Sequence, residues 1–185
     1  MSLAWFAQKC NPGTKCNFNW TIDYFFVWGE TGVLVPGINF SASQTVAAGL
    51  TSNNQITFDY NGAFLFEGQG TFTPSGSLYI NETTNIPMNT ASVGFGMSGA
   101  GTFVVQAQPN INVIFTPNPK YYMVFGIFNQ GDVLDTQQMF RSTPGGAREI
   151  QQISCIVEVD FPANVYTLYV TFNANNTWTV SQSPV

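Results

Sequence analysis

From Phe18 to Trp28 every second residue is apolar: Phe18, Trp20, Ile22, Tyr24, Phe26 and Trp28, with Asn17, Asn19, Thr21 and Asp23 in the first gaps. Side chains alternate across a strand with a period of two, whereas a helix would scatter these rings around its axis. The run predicts one long strand over 17–28, with a polar outer face at its start. Phe25 and Val27 then make the second face apolar as well, so its end should be covered on both sides.

The same rhythm continues through the chain. Asn61-Gly62 between two apolar runs predicts a hairpin on a type I′ turn, with Tyr60 facing Ala63, Phe58 facing Leu65 and Ile56 facing Glu67. Pro74-Ser75-Gly76 predicts a second hairpin, between 71–73 and 77–80. Further strands are expected at 102–108, 111–116, around Cys155, at 166–172 and at 177–180. A central strand is expected at 121–128, which is apolar on both faces. A single helical turn at 135–141 is the only departure. Roughly ten to twelve short strands at this spacing give an all-β fold: an antiparallel two-sheet β-sandwich, jelly-roll-like, with a closed β-barrel as the alternative. At 185 residues, with no shift in composition along it, the chain reads as one domain over 1–185.

Only 8% of residues are charged and 15% are aromatic, against about 25% charged in ordinary domains. The surface is therefore neutral and rich in amides and hydroxyls. Five Lys and Arg against ten Asp and Glu give a net charge of -5, which argues against phosphate neutralisation and so against nucleic acid. No apolar run reaches the ~18 residues of a transmembrane span. Residues 1–7 are too short for the apolar part of a secretory leader and lack its basic start.

Cysteine usage bears on the compartment. Cys155 alternates in phase with Ile153, Val157 and Val159 and should point into the core. Cys10 and Cys16 then remain as a couple around Asn11-Pro12-Gly13, a turn that lets two sulfurs meet. An oxidising compartment would join them; a reducing one would leave idle thiols. Asn19, Asn39, Asn81 and Asn175 each begin an acceptor pattern for N-linked sugar, a frequent pattern in a chain so rich in Asn, Ser and Thr. A secreted or extracellular location is the expectation, with the cytoplasm left open.

Histidine is absent. That removes the commonest general base and every Ser-His or Cys-His nucleophile pair. Gly94-Phe95-Gly96-Met97-Ser98-Gly99 matches a dinucleotide fingerprint, but a strand pattern follows where the chemistry requires a helix. Glu158 and Asp160 share a strand face at a spacing of about 7 Å, suited to an inverting glycosidase, yet any solvated strand face looks the same. Asp132, Asp135 and Glu30 lie near turns without the dense oxygen spacing of a calcium loop. No cofactor, no metal and no enzymatic activity are expected.

Aromatic rings at outward or strand-end positions remain, among them Trp5, Tyr121 and Tyr122. Rings beside amides and carboxylates hold uncharged sugars, by stacking on the apolar face and hydrogen-bonding at the rim. The expected function is a non-enzymatic, lectin-like carbohydrate-binding module with a glycan or glycoprotein partner, touching it through Trp28, Glu30, Tyr169, Asn176 and Trp178. One alternative is a self-assembling structural subunit, a coat, spike or storage homo-oligomer, with 25–28 and 121–128 at subunit contacts. Another is a membrane-active toxin that inserts 88–108 as a hairpin.

Overall fold

A computed structural model describes residues 1–118, 120–135 and 156–184. The expectations for Cys155 and for 136–141 fall outside these residues. The described residues form twelve strands and no helix, and no sheet among them closes into a barrel. They group into two compact units, Met1–Pro117 with Asn129–Asp135, and Asn118–Phe128 with 156–184.

In the first unit, β1 (Tyr24–Gly29), β2 (Gln44–Ala47), β6 (Ser92–Met97) and β7 (Ala100–Gln106) form an antiparallel sheet in the order β2-β1-β6-β7. A second sheet has the order β4-β3-β5-β8, from β3 (Gln55–Tyr60), β4 (Phe64–Gly70), β5 (Leu78–Glu82) and β8 (Asn112–Phe115). Both sheets contribute to one apolar cluster: Phe26, Trp28 and Val93 from the first, Phe58, Phe66, Leu78 and Ile80 from the second. The Gln44 side-chain oxygen links them, accepting the Trp28 indole N–H at 2.8 Å and the Phe66 amide at 2.9 Å.

Strand β1 begins at Tyr24, later than the alternation from Phe18 suggests. Its two apolar faces are both covered. Phe26 and Trp28 enter the cluster just described, while Val27 joins Leu3, Phe40, Val104 and Val133 in a second one. The N-terminal residues supply part of that cover: Leu3 N–H bonds the Thr102 carbonyl at 2.9 Å, and Val104 N–H bonds the Met1 carbonyl at 2.9 Å. The face expected at a subunit contact over 25–28 is thus filled by the chain itself.

Both hairpin expectations change. β3 and β4 do pair, but Tyr60 faces Phe64, Phe58 faces Phe66 and Thr57 faces Glu67. Of Asn61 and Gly62 only Gly62 is left-handed, at φ 79°, and a type I′ turn needs both residues there. The resulting three-residue connection turns Phe64 and Phe66 inward onto Phe58, with ring centroids 5.5 and 5.4 Å away. A one-residue slip exchanges the faces of a strand, so burial of these two rings outweighs the tighter turn.

The second hairpin does not form. β5 lies parallel to β3, with Gln55 opposite Tyr79 and Thr57 opposite Asn81, a correction to an all-antiparallel fold. Segment 71–77 crosses the start of β3 to put β5 on its far side. The apolar strand β3 thereby gains a neighbour on each edge and leaves no unpaired backbone row.

The glycine-rich 94–99 is a β-hairpin whose turn residues Ser98 and Gly99 have φ 52° and 79°. A Cβ on Gly96 would overlap the Phe25 ring, which lies across this position. These glycines serve close packing, with strand β7 where a nucleotide site would need a helix.

The second unit contains two two-stranded antiparallel sheets. β9 (Tyr121–Met123) pairs with β10 (Val157–Val159), and β11 (Tyr169–Phe172) pairs with β12 (Trp178–Ser181). The central strand expected over 121–128 is confined to its first three residues. No helix among the described residues is long and apolar enough to cross a membrane.

Candidate functional site

Of the five expected sugar contacts, Trp28 and Glu30 lie in the first unit and Tyr169, Asn176 and Trp178 in the second. Trp28 is 6% exposed, inside the core, and its N–H is spent on Gln44; alternation marked it as a ring but not which face was covered. Glu30 is exposed in the same unit. Tyr169, Asn176 and Trp178 share the β11–β12 hairpin, yet Trp178 is paired with Phe172 and Tyr169 with Ser181, an odd number of positions apart. Tyr169 and Trp178 therefore project from opposite faces. Trp178 packs on Phe172, which stacks on Phe125. Asn176 is the exposed turn residue, at φ 63°, with its N–H on the Asn173 carbonyl at 3.0 Å.

Other candidates are also placed. Glu158 forms an exposed ion pair with Lys120 at 2.8 Å, and hydrogen bonds from Lys120 and Tyr122 hold its carboxyl below the usual range. Asp160 lies past the end of β10. Asp132 is buried, accepting the Asn129 amide at 2.7 Å and the Asn39 side-chain amide at 3.1 Å. Among the described residues no three metal-ligating side chains come together. Cys10 and Cys16 are joined in a disulfide with a Cα–Cα distance of 6.3 Å.

A different set of residues does converge, on the solvent face of the second sheet. Because Leu78 and Ile80 point into the core, Tyr79 and Asn81 take the opposite face, where Tyr79 is itself covered to 9% exposure. Register aligns Gln55, Tyr79 and Ile114 in one rank across β3, β5 and β8, and Thr57, Asn81 and Asn112 in the next. With strands ~4.8 Å apart, a rank spans about 10 Å. Phe72 rises beside it, its ring 4.6 Å from Tyr79 and tilted by 54°. The result is an open groove of about 350 Å³ lined by Gln55, Phe72, Tyr79, Asn81 and Asn112–Ile114, with no charged side chain in its lining.

The groove is held from beneath. Asn54 is fully buried. Its side-chain oxygen accepts the Phe72 amide at 2.7 Å, and its nitrogen donates to the carbonyls of Phe72 at 3.1 Å and Ser77 at 3.2 Å. Tyr79 is fixed at both ends, its N–H on the Asn54 carbonyl at 2.7 Å and its hydroxyl on the Pro74 carbonyl at 3.0 Å. The far side of the groove depends on Glu82. Its amide bonds the Ile111 carbonyl at 2.8 Å, and its carboxylate accepts the Gln108 amide at 2.8 Å, which fixes the chain as it enters β8. Burial pushes the Glu82 carboxyl up to about 7, against the weaker pull of the Gln108 bond, and its second oxygen has no partner. Asp59, outward on β3, is held below the usual range by the Thr83 hydroxyl.

A side-chain amide donates and accepts at once, as a sugar hydroxyl does. Gln55, Asn81 and Asn112 set three such groups around an aromatic and aliphatic floor. Phe72 is 42% exposed and Ile114 59% exposed, enough to offer apolar surface to the C–H face of a ring.

A family profile described as RhiA matches residues 1–183. The chain belongs to the RhiA family. Protein RhiA of Rhizobium leguminosarum bv. viciae is 36% identical over 190 residues, covering 97% of this chain and 73% of that protein. No solved structure matches. The span shared with the family includes every residue of the groove and the disulfide loop.

Sequence reasoning missed the groove residues. Tyr79 carried a signal, a ring on the phase opposite Leu78 and Ile80, but the expected hairpin would have placed it beside 71–73 and not between β3 and β8. Phe72 and Asn54 carried none, since only the crossing of 71–77 over β3 brings them together.

Proposed function

We propose that this RhiA-family protein is a non-catalytic carbohydrate-recognition module, in which the two four-stranded sheets form a β-sandwich and the outer face of the second sheet binds an uncharged oligosaccharide. The parallel β3–β5 pair sets this sandwich apart from a jelly roll. The observation that carries the reading is the alignment of Gln55, Tyr79 and Ile114 beside Asn81 and Asn112, under a Phe72 ring anchored by a buried amide. Such a surface stacks on pyranose faces and exchanges hydrogen bonds with neutral hydroxyls, and it offers no charge to an ionic ligand. The groove accommodates about two sugar rings by its ~10 Å rank. Screening the folded chain against neutral glycans at high density tests the reading. Binding that disappears in Asn112→Ala supports it, and silence across the array from folded protein removes it.

Self-assembly is the second reading. Ile111 and Ile114 are exposed, at 44% and 59%, at the start of and along edge strand β8, where another sheet could dock. Size-exclusion chromatography separates the two: a large homo-oligomer broken by Ile114→Lys would favour assembly.

A further inference from the structure

The disulfide loop carries chemistry that the groove lacks. Residues 1–22 contain Lys9 and Lys15 and no acidic residue, in a chain of net charge -5. Both lysines are exposed. The only ion pair among the described residues belongs to Lys120 and Glu158. Asp23, the first acid in the sequence, is committed to the Ser98 amide at 2.8 Å. Each lysine directly precedes a bridged cysteine. The 6.3 Å between Cys10 and Cys16, plus one ~3.8 Å step at each end, therefore keeps the two lysine backbones within about 14 Å.

Beside them lies a cavity of about 310 Å³ lined by Phe6, Ala7, Gln8, Asn17, Phe18 and Asn19. Phe6 and Phe18 are 6.2 Å apart, and Trp5 stacks on Phe6 at 4.4 Å. The Trp5 indole N–H is tied to the Met97 carbonyl at 2.7 Å, which anchors the ring cluster to the end of β6. The tip of the loop is closed by Thr14, whose amide and hydroxyl bond the Asn11 carbonyl at 3.0 and 2.6 Å. Lys9 directly follows Gln8 of the lining and Lys15 lies two positions before Asn17, so rings for a sugar face, amides for its hydroxyls and two exposed lysines on adjoining residues together match one ligand chemistry.

We infer that the Cys10–Cys16 loop is a second binding site, which takes a carboxylate-bearing saccharide such as a uronic acid oligomer. The rings and amides hold the sugar, and Lys9 and Lys15 select for the carboxylate. The site stands independently of the groove, which accepts uncharged sugar.

Titration of the full chain with trigalacturonic acid and with its uncharged methyl ester tests this, read by tryptophan emission and by calorimetry. Trp5 lies next to the cavity and Trp20 packs edge-on to it at 5.5 Å, whereas no tryptophan lines the groove. The acid is expected to bind and change the emission. Lys9→Gln with Lys15→Gln should weaken it about tenfold, as should 0.5 M salt, and the ester should bind no better than that double variant. Phe18→Ala should abolish the response, and Asn112→Ala should leave it intact. Equal binding of acid and ester, a response lost in Asn112→Ala, or no binding by folded protein would each overturn the inference. The lysine variant is confined to the surface, so the test survives if Phe18→Ala fails to fold. Neutral glycans that bind nowhere would end the groove reading and leave this result standing.

Discussion

Asn54 and Phe72, 18 positions apart, exchange two hydrogen bonds in which the buried amide stands in for a strand neighbour, at 2.7 Å from the Phe72 N–H and 3.1 Å to its carbonyl. A third bond from the same amide reaches Ser77. Segment 71–77 belongs to no strand, so this side chain, with the Gly76 amide on the Leu50 carbonyl at 2.8 Å and the Tyr79 hydroxyl on Pro74, takes the place of a ladder. Asn54→Leu keeps the volume and leaves those backbone groups unpaired, at a cost of about 1–3 kcal/mol. Denaturant unfolding should show that loss, and glycan affinity should fall further than in a surface control.

Removing ring or amide from the groove separates packing from recognition. Phe72→Ala takes away an exposed face and should reduce affinity for a neutral glycan about tenfold, with stability nearly unchanged. Asn112→Ala is exposed on an edge strand and should behave alike. Calorimetry paired with thermal melts reads both quantities, and a melt that drops as far as the affinity would assign the residues to folding alone.

Stability should fall as the solution becomes more alkaline. The Glu82 carboxyl is raised from 4.5 to about 7 by burial, so between those values the folded state holds a proton that the unfolded state has released. Stability from this group is full below pH 4.5, declines from there to pH 7 and is level above. Each unit corresponds to ~1.4 kcal/mol, and residual hydration limits the total to about 2 kcal/mol. Glu82→Gln should flatten the decline and exceed the parent protein above pH 7. Urea midpoints from pH 5 to 8.5 provide the measurement, with Asp59→Asn as the control on the same sheet.

Gly96→Val tests the packing of the glycine hairpin. Its side chain would have to displace the Phe25 ring and the Ala100 carbonyl, and overpacking of this kind costs about 1–3 kcal/mol. A melting temperature equal to that of the parent would contradict the geometry.

Alternation revealed the all-β class and most strands, because it depends only on which face each side chain takes. Phe26 with Trp28, and Val27 on the opposite side, were legible for that reason. Partner choice was not. Asn61-Gly62 proposed a two-residue turn, and two phenylalanines further along overruled it. Pro74-Ser75-Gly76 proposed a reversal, but the gain from flanking β3 on both edges prevailed. The groove shows the same gap: a tyrosine on the non-core phase of a strand can be recognised locally, while its neighbours depend on which strand lies alongside.

Since β4 ends where β5 begins, at the same margin of the sheet, the strap between them must step over β3 and cannot simply fold back. Its residues belong to neither ladder and contribute little to the interior. Lengthening or recomposing that strap would reshape one wall of the groove while the strands beneath stay as they are. Relatives with the same scaffold can therefore diverge in what they grip through a handful of positions between Gly70 and Leu78.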